Sequence, residues 1–346
     1  MHTTNRRLSF GFLIFASSIP NMAFAESAKK MPAMVEMKNK FKRPREIPQP
    51  KENLSTPARV LLGKTLFFDP RLSGSNFISC ATCHNPAFSW GDGLAKGIGH
   101  GMKNLGRRSP TILNAAWIDP LMWDGRFANL EEQALGPITS EGEMNLPAEE
   151  IESKLRAIVE YAPLFEKAYP GEGVGTKPMA KAIAAYERTV VSGKAPFDLW
   201  IDGNKNAISK EAQNGFVLFN TKANCVSCHS GWRFTDDSFH DIGVETDDKG
   251  RGALPDFTSI ETLQSAFKTP TLRNADRRGP FMHNGSEKSL LSVVELYNVG
   301  GRVKRPSLSG DIKPLNLTPG EMQDLVTFMT TLTSRDIPQS IPMLPR

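Results

Sequence analysis

The chain has 346 residues and is only mildly basic, with a formal net charge of +5. That charge gives no indication of nucleic-acid binding, and the length is sufficient for two domains. All four cysteines fall within two short motifs, so the sequence leaves none for a disulfide elsewhere or for a lipid anchor.

The first 25 residues have the features of a secretory signal peptide. Arg6 and Arg7 precede an apolar stretch at 8–19, and Ala23-Phe24-Ala25 is a small-residue cleavage site. The apolar stretch is too short to span a bilayer as a mature helix. We therefore predict export with cleavage after Ala25, and a mature protein that is not transmembrane.

Residues 26–50 are predicted to form a basic arm and a linker. Few acidic residues interrupt its positive charges, which are Lys29, Lys30, Lys38, Lys40, Lys42, Arg43 and Arg45. Such a stretch is typical of a solvated segment, with docking to an acidic partner as the alternative. Pro44, Pro48 and Pro50 then stiffen the connection to the first domain.

Two Cys-x-x-Cys-His motifs carry the clearest chemical information. They are Cys80-Ala81-Thr82-Cys83-His84 and Cys225-Val226-Ser227-Cys228-His229. In such a motif the cysteines form thioether bonds to a c-type haem, and the histidine is the proximal iron ligand. Two redox disulfides or one zinc site would leave both histidines unexplained. We therefore predict two covalent haems in a protein of the bacterial periplasm or outer cell surface.

A diverged internal repeat follows the haem motifs. Pro110-Thr111-x-x-Asn114-Ala115 recurs as Pro270-Thr271-x-x-Asn274-Ala275, and 122–125 recurs at the same separation as 282–285. The haem motifs lie closer together than this, which predicts an extra loop in the second half, at 230–268. Self-similarity at one fixed separation predicts two copies of a single structural unit.

The repeated unit has helical start signals and no long alternating strand pattern. Thr56-Pro57 and Ser209 precede periodic apolar stretches, and Thr318-Pro319-Gly320-Glu321 is a capping box. Periodicity predicts further helices at 149–159 and 181–190. We predict an all-α protein of two cytochrome-c-like domains, each with one haem c, at 51–193 and 194–346.

The position opposite each proximal histidine decides what each haem does. The repeat aligns Tyr297 of the second half with Pro137 of the first. Tyrosine offers a phenolate ligand, whereas proline has no side-chain donor, so haem 1 on His84 would be open and haem 2 on His229 closed. Two alternatives remain, because Tyr297 could be a core residue or Met282 could be the ligand.

Peroxide chemistry needs an acid–base group beside the open iron. Glu143 is suited to carry a proton between the two peroxide oxygens, which makes water the leaving group, and Gln133 is suited to orient bound peroxide. Trp123 is either a core residue or an electron relay between the haems. Taken singly, Glu143 and Gln133 are each more typical of a polar surface position.

On these motifs the chain resembles the bacterial di-haem cytochrome c peroxidases and the related MauG-type enzymes of methylamine utilisation. The resemblance covers about Ser55 to Leu332. Besides both haem motifs, it rests on Gly99-His100-Gly101, the run 123–137, Glu143-Met144, and the segments 270–274 and 280–285.

The resemblance implies a role for each candidate residue. Haem 1, on His84, would react with peroxide, with Gln133 and Glu143 as its distal catalytic residues. Trp123 would lie between the haems. Haem 2, on His229, would store or relay electrons.

Two residues point to different subtypes within the family. His100 matches a loop histidine that caps haem 1 in many cytochrome c peroxidases until haem 2 is reduced. Tyr297 stands where those enzymes have a methionine, as in MauG-type enzymes. Methionine favours Fe(II), whereas a phenolate favours higher oxidation states. Tyr297 therefore argues for a second haem that shares oxidising equivalents with the first.

The resemblance also implies one Ca²⁺ between the domains, bound by an asparagine side chain and backbone carbonyl groups. The carbonyl positions match Arg278 and Pro280, but Arg108 stands at the asparagine position. A guanidinium only donates hydrogen bonds and cannot ligate a cation. We therefore expect no ordinary calcium site, with Arg108 in its place.

Together these features predict an exported di-haem peroxidase that reduces hydrogen peroxide to water with electrons from a protein donor, a cytochrome c or a copper protein. One alternative is a MauG-type enzyme that uses a high-valent di-haem state to oxidise Trp or Tyr side chains of a partner protein. An alternative of another class is a non-catalytic di-haem electron carrier or sensor. A homodimer is left open.

Overall fold

The computed structural model describes residues 1–2, 34–335 and 339–346. The predicted signal peptide, apart from its first two residues, and the basic residues Lys29 and Lys30 lie outside the described residues. None of the helices in the described part combines the length and the apolarity needed to cross a membrane.

Regular structure in the described part of the chain is mostly helical. The α-helices are α1 Met34–Asn39, α2 Pro57–Phe68, α3 Cys80–Cys83, α4 Leu130–Thr139, α5 Ala148–Arg156, α6 Tyr161–Ala168, α7 Thr176–Glu187, α8 Pro196–Ile201, α9 Lys210–Asn220, α10 Leu290–Asn298 and α11 Pro319–Thr330. Two short strands, β1 Phe239–His240 and β2 Phe267–Lys268, pair antiparallel. Both strands lie in the segment where the repeat predicts an extra loop.

The predicted helix starts are confirmed by their caps. The Thr56 side chain accepts the Arg59 N–H at the start of α2, and the Ser209 side chain accepts the Ala212 N–H at the start of α9. At α11, Thr318 N–H donates to Glu321 Oε2 at 2.8 Å, which closes the predicted capping box.

The other two predicted helices are present with shifted ends. The first runs over Ala148–Arg156 and the second over Thr176–Glu187. The second begins earlier than predicted because Pro178 lies in its first turn, where the missing N–H needs no partner.

The two halves of the repeat have the same internal packing. A Cβ at Gly63 of α2 would lie 1.8 Å from the carbonyl oxygen of Ala182 on α7, and a Cβ at Gly215 of α9 would lie 2.1 Å from that of Asp324 on α11. Only glycine permits such close helix crossings. Each half therefore has one glycine-mediated helix pair at its centre.

Each half also has its own hydrophobic core. The first core consists of buried residues between Leu62 and Val190, and the second of buried residues between Phe197 and Leu332. The second core also contains Met37 and Phe41 from α1 and the turn after it. The chain segment before the first half therefore packs on the second.

The expectation of a solvated basic arm is wrong for 34–43. Met37 and Phe41 are buried because they lie four residues apart and so face the same side, and the Phe41 ring stacks on Phe234 with centroids 4.7 Å apart. The Arg43 guanidinium donates to the carbonyl oxygens of Ser192 and Gly193 at 2.6 and 2.8 Å. These apolar and hydrogen-bonded contacts hold the segment against the folded body.

Candidate active site

One cavity of about 610 Å³ is lined by residues from both halves of the repeat. Both predicted haem motifs open onto it, through Cys80, Cys83 and His84 in the first half and Cys225, Cys228 and His229 in the second. All four thiols are unpaired. The structure therefore brings the two predicted attachment sites to a common space.

The two histidines are held in the form that iron binding requires. Nδ1 of His84 lies 3.4 Å from the carbonyl oxygen of Trp90, and Nδ1 of His229 lies 2.8 Å from that of Phe234. A carbonyl only accepts, so Nδ1 carries the proton and Nε2 is free to bind a metal. Burial lowers the pKa of both imidazoles, which favours the neutral form that ligates. The donor set fits two c-type haems.

The predicted distal residues of haem 1 meet in the same cavity. Gln133 and Pro137 lie on α4, and Glu143 follows in a turn in which its N–H donates to the Ser140 carbonyl at 3.0 Å. Burial raises the pKa of the Glu143 carboxyl, and the positive charge of Arg126 partly opposes the rise. A carboxyl with a raised pKa is suited to take up and return a proton.

Trp123 lies at the junction of the two halves. Its indole N–H donates to the Arg108 carbonyl at 2.8 Å, and its own carbonyl accepts the Lys268 N–H from β2 at 2.8 Å. Its ring centroid is 6.5 Å from that of His283, which stacks on Phe267 at 3.6 Å. The indole also lines the cavity, so its predicted relay role stays a prediction that the geometry permits.

Both candidate ligands of haem 2 line the cavity. Tyr297 is on α10, and Met282 lies in the loop before it. Burial raises the pKa of the Tyr297 phenol, as do the thiols of Cys225 and Cys228. Because both side chains line the cavity, the Tyr297 phenol and the Met282 thioether both remain candidate ligands of haem 2.

His240 is part of the surroundings of haem 2. Its Nε2 lies 3.0 Å from Asp236, and this hydrogen bond, followed by one to Cys228, raises the pKa of His240 to about 10. Cys228, Asp236 and His240 bring potential metal-ligand atoms close together in the described part of the chain. Because Cys228 is a predicted haem attachment site, this group belongs to the haem site.

His100 does not line the cavity, although its neighbour Gly99 does. The His100 N–H donates to the Gly142 carbonyl at 3.0 Å, and a Cβ at Gly99 would lie only 1.9 Å from that oxygen. Nδ1 of His100 is buried without a hydrogen-bond partner in the part of the chain described. The loop that carries His100 is thus held beside the turn that carries Glu143, and His100 is not among the residues that line the cavity.

His100→Gly should therefore leave the rate at which the all-ferric protein reacts with peroxide unchanged. The reason is that His100 lies outside the cavity, where it would not cap haem 1. Rapid-mixing absorption of oxidised wild type and variant is the measurement. A wild type that is sluggish until reduced, with a variant that reacts at once, would show that His100 caps haem 1 in solution.

The residues at the expected calcium site do not fit a cation. Nη2 of Arg108 donates to the carbonyl oxygen of Arg278, which the family resemblance assigns to calcium. The Arg108 side chain is buried, and its Nε has no partner among the residues described. The guanidinium therefore bonds a carbonyl group that the resemblance assigns to the ion, and this bond links the two halves directly.

Removal of calcium should accordingly leave the wild-type protein unaffected. After dialysis against a calcium chelator, we expect unchanged haem spectra and unchanged peroxide reactivity, with no calcium detected by elemental analysis. Arg108→Asn restores the oxygen ligand and is the matched variant, which should gain chelator sensitivity. Stoichiometric calcium in the wild type would contradict the assignment.

Comparison with known proteins gives the family. The sequence profile described as di-haem cytochrome c peroxidase matches residues 57–206, and the cytochrome c profile matches residues 212–333. The chain is 48% identical over 311 residues to methylamine utilization protein MauG of Methylorubrum extorquens, covering 89% of this chain and 88% of that one. MauG of Methylophilus methylotrophus is 45% identical over 311 residues, with 89% and 92% covered.

The solved structures include a MauG-like protein associated with microbial copper homeostasis. It aligns with a TM-score of 0.77 and 28% identity, over 84% of this chain and 95% of that one. Relatives named cytochrome-c peroxidase also match, one of them at 36% identity over 322 residues.

Fold and site together define a di-haem oxidoreductase built from two cytochrome-c-type domains. The chain belongs to the di-haem cytochrome c peroxidase and MauG family, and it carries two c-type haems. Relatives named as peroxidases argue against the alternative of a non-catalytic carrier or sensor.

Proposed function

We propose that this protein uses hydrogen peroxide to oxidise Trp or Tyr side chains of a partner protein, the MauG-type activity. The observation that carries the proposal is the position of Tyr297 on the cavity wall, together with Cys225 and Cys228. A phenolate ligand favours the higher oxidation states of iron. The greater identity to MauG proteins than to the peroxidases supports the same activity.

The residues of the first half have separate tasks in this proposal. Bound haem supplies an iron that accepts peroxide and retains its oxidising equivalents. His84 would hold the haem iron through Nε2, and Pro137, which also lines the cavity, has no side-chain donor to offer it. Gln133 orients the peroxide, and Glu143 moves a proton from one oxygen to the other.

The stoichiometry defines what the partner must provide. Reduction of one peroxide to two waters takes two electrons and two protons, and in this proposal both pairs come from the partner's side chains. Trp123 lines the cavity at the junction of the halves and would serve as a relay between the haems. Tyr297 would supply a phenolate ligand to haem 2, which favours higher oxidation states of iron.

The second candidate function is reduction of peroxide with electrons from a cytochrome c or a copper protein. One observation favours it, which is that several relatives are named as cytochrome c peroxidases. The same cavity and the same Glu143 serve this reaction. The two functions differ in the source of the electrons.

Export is part of the proposal as well. The features of residues 1–25 and the covalent haems support a protein that is cleaved after Ala25 and loaded with haem in the periplasm or at the outer surface. Haem 1 would be attached at Cys80 and Cys83 within 51–193, and haem 2 at Cys225 and Cys228 within 194–346. Hydrogen peroxide and the partner protein would meet the enzyme there.

A donor comparison tests the function. Holoenzyme and peroxide are mixed with a reduced cytochrome c, a reduced copper protein, or candidate partner proteins, and peroxide loss and partner mass are followed together. We expect oxidised Trp or Tyr residues in one partner. For each peroxide consumed, the side chains of that partner should lose two electrons. Turnover confined to the reduced cytochrome or copper protein would instead establish the second candidate.

A further inference from the structure

Glu187 is a buried carboxyl on the cavity wall that the proposed function does not use. It is the last residue of α7, is 4% exposed, and lines the cavity together with Cys80. Its Oε2 is buried without a hydrogen-bond partner among the described residues. Buried polar groups are nearly always bonded, so this exception requires an explanation.

The internal repeat shows that the fold does not need an acid at this position. Gly63 approaches the Cβ of Tyr186 in the first half as Gly215 approaches that of Phe328 in the second, at 2.9 and 2.8 Å from their hypothetical Cβ atoms. The next residue in the second half, Met329, is therefore the counterpart of Glu187. Met329 is also buried and also lines the cavity.

Beside haem 2, the corresponding position is thus filled by the apolar thioether of Met329. Burying a carboxylate without a partner costs far more free energy than burying methionine. The acid at haem 1 is therefore not explained by packing. Because Glu187 lies beside the attachment site at Cys80, its position indicates a role toward haem 1.

The charged groups around Glu187 largely neutralise one another. Arg188 and Glu131 form their own ion pair at 2.7 Å, and the Cys80 thiol becomes an uncharged thioether once haem is attached. The basic side chains of the packed helices α2 and α5 have partners elsewhere; these are Arg59, Lys64, Lys154 and Arg156. The charge on the haem 1 iron is then the nearby charge whose change most affects the protonation of Glu187.

We propose that Glu187 couples a proton to the redox state of haem 1. The carboxyl is neutral beside the reduced haem. When haem 1 gives up one electron, Oε2 or its paired oxygen releases one proton to water, and the carboxylate charge offsets the positive charge gained by the iron. Glu187 is thus a positioning residue that sets how easily haem 1 is oxidised.

The sign of the effect follows from electrostatics. Burial raises the pKa of Glu187 to about 8, with Arg188 opposing and Glu131 adding to the rise. Oxidised iron must lower that pKa, and by reciprocity the carboxylate must lower the haem 1 potential. The potential should therefore fall as pH rises through this range, and it should level off where Glu187 is protonated in both redox states.

Spectroelectrochemical titration of the holoenzyme between about pH 6 and pH 10 measures this coupling. One proton per electron is a tenfold change in equilibrium constant per pH unit, which is about 59 mV per unit. We expect a slope approaching that value for haem 1 of the wild type. Glu187→Gln should match the wild type at low pH, where both groups are neutral, and have the higher potential at high pH.

Haem 2 in the same molecule is the internal control, since its potential should not respond to the substitution. Glu187→Met copies the residue found beside haem 2 and should flatten the haem 1 slope as glutamine does, whereas Glu187→Asp should retain part of it. An unchanged haem 1 slope in Glu187→Gln would overturn the proposal and assign the proton to another group.

A measurement on the wild type covers the case in which the variants fail to load haem. Redox-difference infrared spectra should show a protonated carboxyl band that disappears when haem 1 is oxidised. Absence of that band would also overturn the proposal. Neither experiment uses a partner protein, so its outcome is independent of the protein substrate proposed above.

Discussion

Glu143→Gln should slow the cleavage of peroxide at haem 1 by about 10²–10⁴-fold, the usual contribution of a positioned acid–base group. Glutamine keeps the size of the side chain but cannot exchange a proton. Glu143 lines the cavity, and burial raises the pKa of its carboxyl. A raised pKa lies nearer the working pH, where a group both accepts and returns a proton most effectively.

The matched control is Glu141→Gln, which makes the same chemical change two residues away at an exposed position. It should react with peroxide as the wild type does. Rapid-mixing absorption of the ferric proteins gives the rate of haem 1 oxidation directly, and haem content by pyridine haemochrome confirms loading. A Glu143→Gln protein that cleaves peroxide at the wild-type rate would remove Glu143 from the acid–base role.

Trp123→Phe should impair a step that follows the cleavage of peroxide. Its ring lies at the junction of the halves, so haem 1 should still be oxidised quickly while the transfer to haem 2 slows. The two variants therefore separate proton movement from electron movement within one experiment. Undelayed oxidation of haem 2 would make Trp123 a packing residue.

The sequence predicted five of the helices, α2, α5, α7, α9 and α11, and it predicted site residues that the structure brings to one cavity. Caps such as Thr318 and Glu321 act within one turn, so their effect on α11 is readable locally. The repeat supplied the long-range information, because two copies of one unit must place Pro137 and Tyr297 in corresponding positions. The structure accordingly places both on the cavity.

Other features depended on contacts between distant segments. Nothing near Met37 and Phe41 in the sequence shows that they complete a core whose other members begin at Phe197. The position of the loop that carries His100 depends on the close approach of Gly99 to Gly142, which belongs to another segment. Such tertiary contacts override local composition.

Two functional candidates were missed for different reasons. Arg126 lies within the run that carries the family resemblance, but its electrostatic effect on Glu143 requires the folded distance. Glu187 was detectable in principle, since the helix pairs of the two halves align it with Met329. That alignment depends on Gly63 and Gly215, whose roles in helix crossing become evident from the packing.

Tyr297→Phe should abolish the low-spin His/Tyr signature of ferric haem 2 and shorten the lifetime of the oxidised di-haem state by about 10²-fold or more. Loss of a group that only supports a metal ligand already costs about 10–100-fold. In the folded chain, burial holds the phenol of Tyr297 protonated by raising its pKa. Ferric iron reverses that preference, because a bound cation favours the deprotonated ligand.

Two further variants make the assignment specific. Met282→Leu removes the competing thioether from the same cavity and should leave the haem 2 spectrum intact. Tyr186→Phe removes a buried phenol that has no hydrogen-bond partner among the described residues and should also leave it intact. If Met282→Leu alters haem 2 and Tyr297→Phe does not, the thioether is the ligand.

Tyr297→Met extends this test from the ligand to the function. A thioether favours Fe(II) and raises the potential, whereas a phenolate stabilises higher oxidation states. The variant should therefore lose its capacity to oxidise Trp or Tyr in a partner protein while still accepting electrons from a reduced cytochrome. Potentiometry of haem 2 and the mass of the treated partner are the two measurements. A variant that still oxidises its partner at the wild-type rate would show that the activity does not depend on the phenolate, and Tyr297 would no longer carry the proposed function.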